Sequence, residues 1–459
     1  MREETRPFPL QSDSDLVVPA STASDLEIPS LEDNLELPTT RLDKGSFARF
    51  LSSPSPDMET ILALRGTQEF LLQNSAARSF LENLFFSFST VLRGLPFLGR
   101  GFDDDISHKN EASVKANIEA VRGFSNEMTS LNPPEPIVKI LKYIEGFLIA
   151  LVPNKKRIVR EKVSKFLPGV YKNIETGESS PDYSVMMDIR SNLALLRKSF
   201  PEVEFEPSLQ SVLYWTECLL KMVSIQEKFS GQMSYADFAG KEDGLHIEDL
   251  HNPNVLSGTG SSLPQRVLDI PSDRKIVVVN GVLGSGKTML IRSIVYALIF
   301  NQLGSKVFGQ NARLPVVSKV LSQQARPTSS KDGFGRYEGE LQELRGLFDQ
   351  CDGSSVVLLD EMLSSVRQND TTTGQAIDLL RRFGERCRLV LLATHDPALV
   401  EKASKQDGFL VLGSTQENGG ENFQFEPGRV VDPEYYRRVQ ESMFQRSFGS
   451  QEGSPVVTK

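Results

Sequence analysis

Cysteine is scarce in this sequence: 459 residues contain three, Cys218, Cys351 and Cys387, widely separated and without a C-x-x-C spacing. That excludes a disulfide scaffold and argues against structural zinc, so the three thiols are expected as small buried hydrophobes in a reducing compartment. Long apolar runs are missing too. The longest candidate, Phe147 to Val152, falls far short of the ~20 residues that span a bilayer, and no membrane segment is expected. The first ten residues carry acids and prolines where a secretory leader needs a basic start and an apolar stretch. The expectation is an intracellular soluble protein, cytoplasmic by default, with nucleus or organelle left open. Nor is there an excess of positive charge: 51 Lys and Arg against 60 Asp and Glu give a net charge of -9, so contact with a polyanion requires a local patch. What is present is ordinary for globular domains, 39% hydrophobic residues with 27 Phe against one Trp, which excludes collagen-like and wholly disordered chains.

The texture of the chain changes three times. Residues 1–45 mix ten acids with Pro, Ser and Thr and show no sustained period, which predicts a disordered acidic N-terminal arm. Residues 46–245 carry helical spacing, as in Leu81, Leu84, Phe85, Phe88, Val91, Leu92 and in Ile137, Ile140, Leu141, Ile144, Leu148, Leu151, broken by Pro and Gly clusters. This predicts an all-helical domain. Within it, Lys155, Lys156, Arg157 and Arg160 belong to the one dense basic cluster, to be read either as a solvated helix face or as phosphate contacts to DNA. From 246 to 446, short β-branched runs at 275–279, 356–359, 389–392 and 409–412 alternate with helical patterns, the signature of a largely parallel sheet covered by helices. Residues 447–459 read as a flexible tail.

The chemistry sits in that last region. After the run Lys275 to Val279 comes Gly281-Val282-Leu283-Gly284-Ser285-Gly286-Lys287-Thr288, and a helical run follows from Met289. This is G-x-x-x-x-G-K-[ST] in a strand-to-helix context. Glycines let backbone amides wrap the phosphates of ATP, Lys287 neutralises the β and γ phosphates, and Thr288 is a ligand for Mg²⁺. Downstream, the strand Val356 to Leu359 ends in Asp360 and Glu361. Asp360 is expected in the Mg²⁺ shell and Glu361 as the group that polarises the attacking water. A further apolar strand ends in Ala393-Thr394-His395-Asp396, placing His395 at the same sheet edge, where an imidazole can sense the γ-phosphate.

The order of phosphate loop, Asp-Glu strand and Ala-Thr-His strand resembles the ATPase domain of the MutS family of DNA mismatch repair proteins. Gly304-Ser-Lys-Val307 with Ala312 to Val320, Gly335-Arg-Tyr-Glu-Gly-Glu340, His251-Asn-Pro253 and Leu263-Pro-Gln265 resemble further stretches of that domain. The helical region, with Arg65-Gly-Thr-Gln-Glu-Phe70, is compatible with the family's lever domain. The resemblance implies an α/β P-loop NTPase domain of the ATP-binding-cassette class behind an all-α lever-like domain. It also implies an ATPase that closes as a homodimer on DNA, each ATP being completed by a signature loop of the partner subunit.

Four departures shape the expectation. Gly335 stands where the family's signature has Ser, and Met362-Leu-Ser-Ser365 replaces a Gly- and Thr-rich turn. The C-terminal helix-turn-helix is not recognisable in residues 433–448. No Phe-x-Glu wedge on an α/β mismatch reader is found, since Phe80-Leu-Glu82 and Phe383-Gly-Glu385 read as ordinary helix residues. The expected protein is a short MutS-like paralogue that works without direct mismatch reading. The alternatives are a nucleotide-gated scaffold that binds ATP without efficient hydrolysis, or another ATPase of the cassette class, for which Leu256-Ser-Gly-Thr-Gly260 superficially resembles the signature.

Overall fold

The structure is a computed structural model, and it describes residues 18–35, 46–79, 81–82, 134, 137, 209–240, 242–256, 264–282, 284–324, 336–363, 369–416 and 423–431. Leu283, Gly335, Ser364 and Ser365, the basic residues Lys155, Lys156, Arg157 and Arg160, the stretch 433–448 and the tail 447–459 lie outside the described residues. The chain forms two compact units, one of residues 1–10, 40–46 and 62–224 and the other of residues 11–39, 47–61 and 225–459.

In the first unit the described residues are helical. Helix α4 (Met58–Gln73) buries Leu64, Thr67, Gln68 and Leu71, a spacing of three and four that puts them on one face. Thr67 satisfies its hydroxyl by donating to the Ala63 carbonyl at 2.7 Å. Helix α5 (Leu209–Lys228) buries Cys218, Leu219, Met222 and Val223 in the same manner. No described helix is long and apolar enough to cross a membrane.

The second unit is built on a six-stranded sheet. Strands β4 (Ile276–Asn280), β6 (Val320–Gln324), β7 (Val356–Asp360), β8 (Leu389–Thr394), β9 (Phe409–Gln416) and β10 (Phe423–Pro427) lie in the order β10-β9-β4-β8-β7-β6. All neighbours are parallel except β10, which returns antiparallel to β9. Every residue of β4 and of β8 is buried, as expected where helices cover both faces of a parallel sheet. One face carries α7 (Arg336–Gln350), α8 (Asp370–Arg386) and α9 (Pro397–Ser404), whose Leu344, Leu380, Phe383 and Leu399 share a core with Val278, Val357, Leu359 and Leu392. Helix α6 (Lys287–Gln302) packs on β4 and β8 without joining that core, and so lies on the opposite face. It is apolar nearly all round, burying Leu290 to Phe300 except Arg292. Phe383, half of a sequence match to a mismatch wedge, is fully buried edge-on to Phe348, and Gly384 lets α8 approach Ile276, whose Cδ1 would lie 2.8 Å from an added Cβ.

Two features depart from the expectations. A second sheet, mixed rather than parallel, joins β1 (Asp237–Ala239), β5 (Gln310–Pro315), β2 (Leu245–Leu250) and β3 (Gln265–Ile270) in that order. Among the described residues strand structure therefore begins at Asp237, inside the stretch expected to be helical as far as residue 245. The two sheets are stitched by glutamine side chains standing in for a backbone ladder. Gln265 bonds both the carbonyl (2.9 Å) and the amide (3.0 Å) of Phe425, while Gln424 bonds the Pro264 carbonyl (2.8 Å) and the Arg266 amide (3.0 Å).

The other departure corrects the expectation of a disordered acidic arm. Residues 18–35 are folded, as α1 (Ala20–Asp25), a 3-10 turn (Ile28–Ser30) and α2 (Leu31–Asn34), and α3 (Ser46–Leu51) is the next described helix. Val18, Leu26, Ile28, Leu31 and Leu35 are all buried, so this stretch has an apolar face of its own beneath its acids. It covers the open edge of β6, where the Ser322 amide donates to Thr22 Oγ1 at 3.1 Å. The three cysteines are buried, as expected, and Cys351 Sγ donates to the Leu347 carbonyl.

Candidate functional site

Strand β4 ends at Asn280, whose amide donates to the carbonyls of Leu412 (3.0 Å) and Arg429 (3.1 Å) and whose oxygen accepts from the Val431 amide (3.0 Å). The strand end is thereby pinned before the loop begins. Gly281 faces two buried hydroxyls, and a Cβ there would come within 2.4 Å of Ser285 Oγ and 2.5 Å of Ser414 Oγ. Gly284 (φ 78°) and Gly286 (φ 85°) hold left-handed backbone that side chains with a Cβ resist, and Gly286 is the N-cap of α6. The loop therefore delivers Lys287 at the first position of the helix. Its ammonium turns back onto the loop, donating to the carbonyls of Gly281 (2.9 Å) and Val282 (3.3 Å). Burial pushes the Lys287 pKa down, while the carboxylates of Glu361 and Asp360 push it up.

One residue on, Thr288 donates to Asp360, 3.1 Å from Oδ2 and 3.4 Å from Oδ1. Asp360 is the last residue of β7, which is why its carboxylate stands at the carboxyl edge of the sheet next to the loop that follows β4. Burial raises its pKa, the Thr288 hydroxyl lowers it, Glu361 raises it, and Arg292 and Lys287 lower it. A hydroxyl and a carboxylate in contact are hard oxygen donors and suit Mg²⁺. No cluster of three or more His, Cys, Asp or Glu side chains able to hold a metal occurs among the described residues, so an ion here would complete its shell with phosphate oxygens and water.

Glu361 leaves the strand in left-handed conformation (φ 58°), unusual for a residue with a long side chain. Its amide still bonds the Ala393 carbonyl at 3.0 Å, so β8 fixes its position. Its carboxylate oxygen Oε1 meets His395 Nδ1 at 2.7 Å. The hydrogen bond to Glu361 raises the His395 pKa above its usual 6.5 and outweighs the lowering by burial. His395 is held by the start of α9: Asp396 caps the helix by accepting from the Ala398 amide, Pro397 occupies the first turn, and Thr394 Oγ1 accepts from the Asp396 amide.

Of the expected residues, Gly281, Val282, Gly284, Ser285, Gly286, Lys287, Thr288, Asp360, Glu361 and His395 thus converge on one sheet edge, and Leu283 lies outside the described residues. Several participants had no role assigned from sequence, and two of them, Arg292 and Ser414, lie outside any motif. Asn252, within the quoted His251-Asn-Pro253, caps a 3-10 turn and donates to the Met289 carbonyl at 3.2 Å, tying that stretch to the first turn of α6. Ser285 Oγ and Ser414 Oγ are buried without a hydrogen-bond partner beneath the loop. Arg292 signals itself in sequence as the one charge in α6 after Lys287, one helical turn beyond Thr288.

Residues 277–452 match the MutS domain V family. The DNA mismatch repair protein MutS of Natronomonas pharaonis is 28% identical over 321 residues, covering 67% of this chain and 34% of that protein. The DNA mismatch repair protein MSH3 of Saccharomyces cerevisiae is 27% identical over 168 residues, 36% of this chain and 16% of that protein. Endonuclease MutS2 of Maridesulfovibrio salexigens is 24% identical over 169 residues, 36% of this chain and 21% of that protein. The chain spans about a third or less of the length of these relatives.

Proposed function

We propose that the chain, whose residues 277–452 match MutS domain V, is a MutS-family protein that binds and hydrolyses ATP there to drive closure of a homodimer and binding to DNA. The observation that carries this reading is the convergence of Lys287, Thr288, Asp360, Glu361 and His395 at one edge of the parallel sheet. The loop amides and the N-terminal end of α6 take the phosphates. Lys287, parked on the Gly281 and Val282 carbonyls, exchanges those oxygens for phosphate oxygens, whose negative charge favours the ammonium form. Thr288 and Asp360 would hold Mg²⁺, which neutralises charge on the β and γ phosphates when bound. Glu361 keeps Oε2 for a water while Oε1 is held by His395, and in this role it accepts the proton as the water attacks.

DNA contact is assigned to the helical region, through Lys155, Lys156, Arg157 and Arg160. Phosphate contacts release counterions, so binding should weaken steeply with salt, and replacing these four by Ala should flatten that slope. The deciding experiment is the ATPase rate measured against duplex, mismatched, branched and single-stranded DNA. Stimulation by DNA supports the reading. A preference for mismatched over perfect duplex would contradict the expectation that the chain acts without mismatch reading.

A nucleotide-gated scaffold is the second reading, favoured by the engagement of Glu361 with His395. It predicts tight ATP binding and no steady-state phosphate release with any of these DNAs.

A further inference from the structure

The N-terminal stretch 18–35 is fastened to the corner that Thr288 and Asp360 occupy. On β6, Ser322 takes both ends of one fastening, its amide donating to Thr22 and its hydroxyl to Asp25 Oδ2 at 2.5 Å. On α6, the Tyr296 hydroxyl donates to the Leu26 carbonyl and accepts from Asn254, which in turn accepts from Asn34 at 3.0 Å. Lys228 donates to the Leu35 carbonyl at 2.9 Å. Between these anchors Glu27 turns through a left-handed conformation (φ 60°) and meets Arg292 Nη1 with Oε1 at 2.6 Å. Arg292 is largely buried and its Nε has no hydrogen-bond partner. Asp25, Leu26, Thr288, Arg292, Ser322 and Asp360 line one small cavity, so the arginine that meets Glu27 shares that cavity with the carboxylate that accepts from Thr288.

We propose that Arg292 is a positioning residue through which the N-terminal stretch sets the metal affinity of the phosphate site. This rests on the reading that the site takes ATP with Mg²⁺. Glu27 offsets the Arg292 charge. Withdrawing that carboxylate leaves an uncompensated positive charge on the cavity that Asp360 also lines, which opposes a divalent cation. Removing Arg292 leaves the site more negative and favours the cation. Nucleotide binding itself, carried by the loop and Lys287, is not the quantity that moves most. Any partner that lifts residues 18–35 from β6 and α6 would therefore raise the Mg²⁺ requirement.

The sign is the test. A fluorescent ATP analogue is titrated into the full chain over a series of Mg²⁺ concentrations, and the midpoint of the Mg²⁺-dependent gain in affinity is read. Glu27→Gln should raise that midpoint about three- to tenfold and Arg292→Gln should lower it by a similar factor. The double variant should return to within about twofold of wild type, as should Arg292→Lys, which keeps the charge. If the pair only holds the fold together, both single variants loosen the same contact and shift the midpoint in one direction. That result, or unchanged midpoints beside intact wild-type binding, overturns the proposal alone. A wild-type chain that binds no nucleotide overturns the functional reading and the proposal with it.

Discussion

Asp360 and Glu361 are adjacent in sequence and opposite in physical character. Asp360 ends a regular strand, is desolvated, and has its partner Thr288 at hydrogen-bond distance from an adjacent helix. Glu361 sits in left-handed backbone, and its partner is His395, an exposed side chain on a helix start. The first corner is built from sheet register and a glycine loop, elements whose geometry changes little without unfolding. In the second the backbone is tied to β8 at Ala393, but the carboxylate itself is engaged by one titratable partner, His395. Under the proposed function, binding and hydrolysis fall to groups of unequal rigidity, and the group proposed for hydrolysis is the one whose partner titrates.

Lys287→Ala should break the first corner most completely. The loop amides alone do not offset repulsion among the phosphates, so affinity for a fluorescent ATP analogue should fall by about 100-fold or more. Near wild-type affinity would refute the assignment of the loop. Gly281→Ala is a smaller insult to the same corner. The added methyl meets Ser285 Oγ and Ser414 Oγ at distances no real contact tolerates, so one hydroxyl must rotate and the loop must shift. Weakening by about tenfold, with a melting temperature lowered by several degrees, is expected by titration and thermal unfolding.

The second corner should respond to pH. Because Glu361 raises the pKa of His395, the imidazolium is favoured in the folded state, and the stabilisation from the pair is complete below the usual value of 6.5 and lost as pH rises through the raised value. Over that same rise Glu361 loses the imidazolium that holds its Oε1. Hydrolysis in the wild type should therefore increase with pH above 6.5, whereas His395→Ala should flatten that rise and change the rate at the acid end by only about two- to fivefold. A profile identical in shape for both proteins would remove His395 from the mechanism.

Much of this site was legible in sequence because its strands are buried on both faces. Ile276 to Val279, Val356 to Leu359 and Leu389 to Leu392 read as uninterrupted apolar runs, each followed closely by residues expected to do chemistry. The mixed sheet escaped because strands such as Leu245-His-Ile-Glu-Asp-Leu250 and Gln265-Arg-Val-Leu-Asp-Ile270 put charges on an open face, and in one dimension that looks like loop. The N-terminal stretch escaped for a different reason. Its acids resemble a solvated arm, yet Asp25 finds Ser322 across 297 positions and Glu27 finds Arg292 across 265, distances at which local composition carries no information. The left-handed turn at Glu361 also leaves no trace in sequence, since it is imposed by the contact of its amide with Ala393.

The division between a binding corner and a hydrolytic corner is tested most directly by Glu361→Gln, with ATP affinity and single-turnover hydrolysis measured on the same preparation. Affinity should stay within about threefold of wild type while hydrolysis slows by about 10² or more, trapping the ATP-bound state. Unchanged single-turnover hydrolysis, or a loss of binding as large as that of Lys287→Ala, would contradict it.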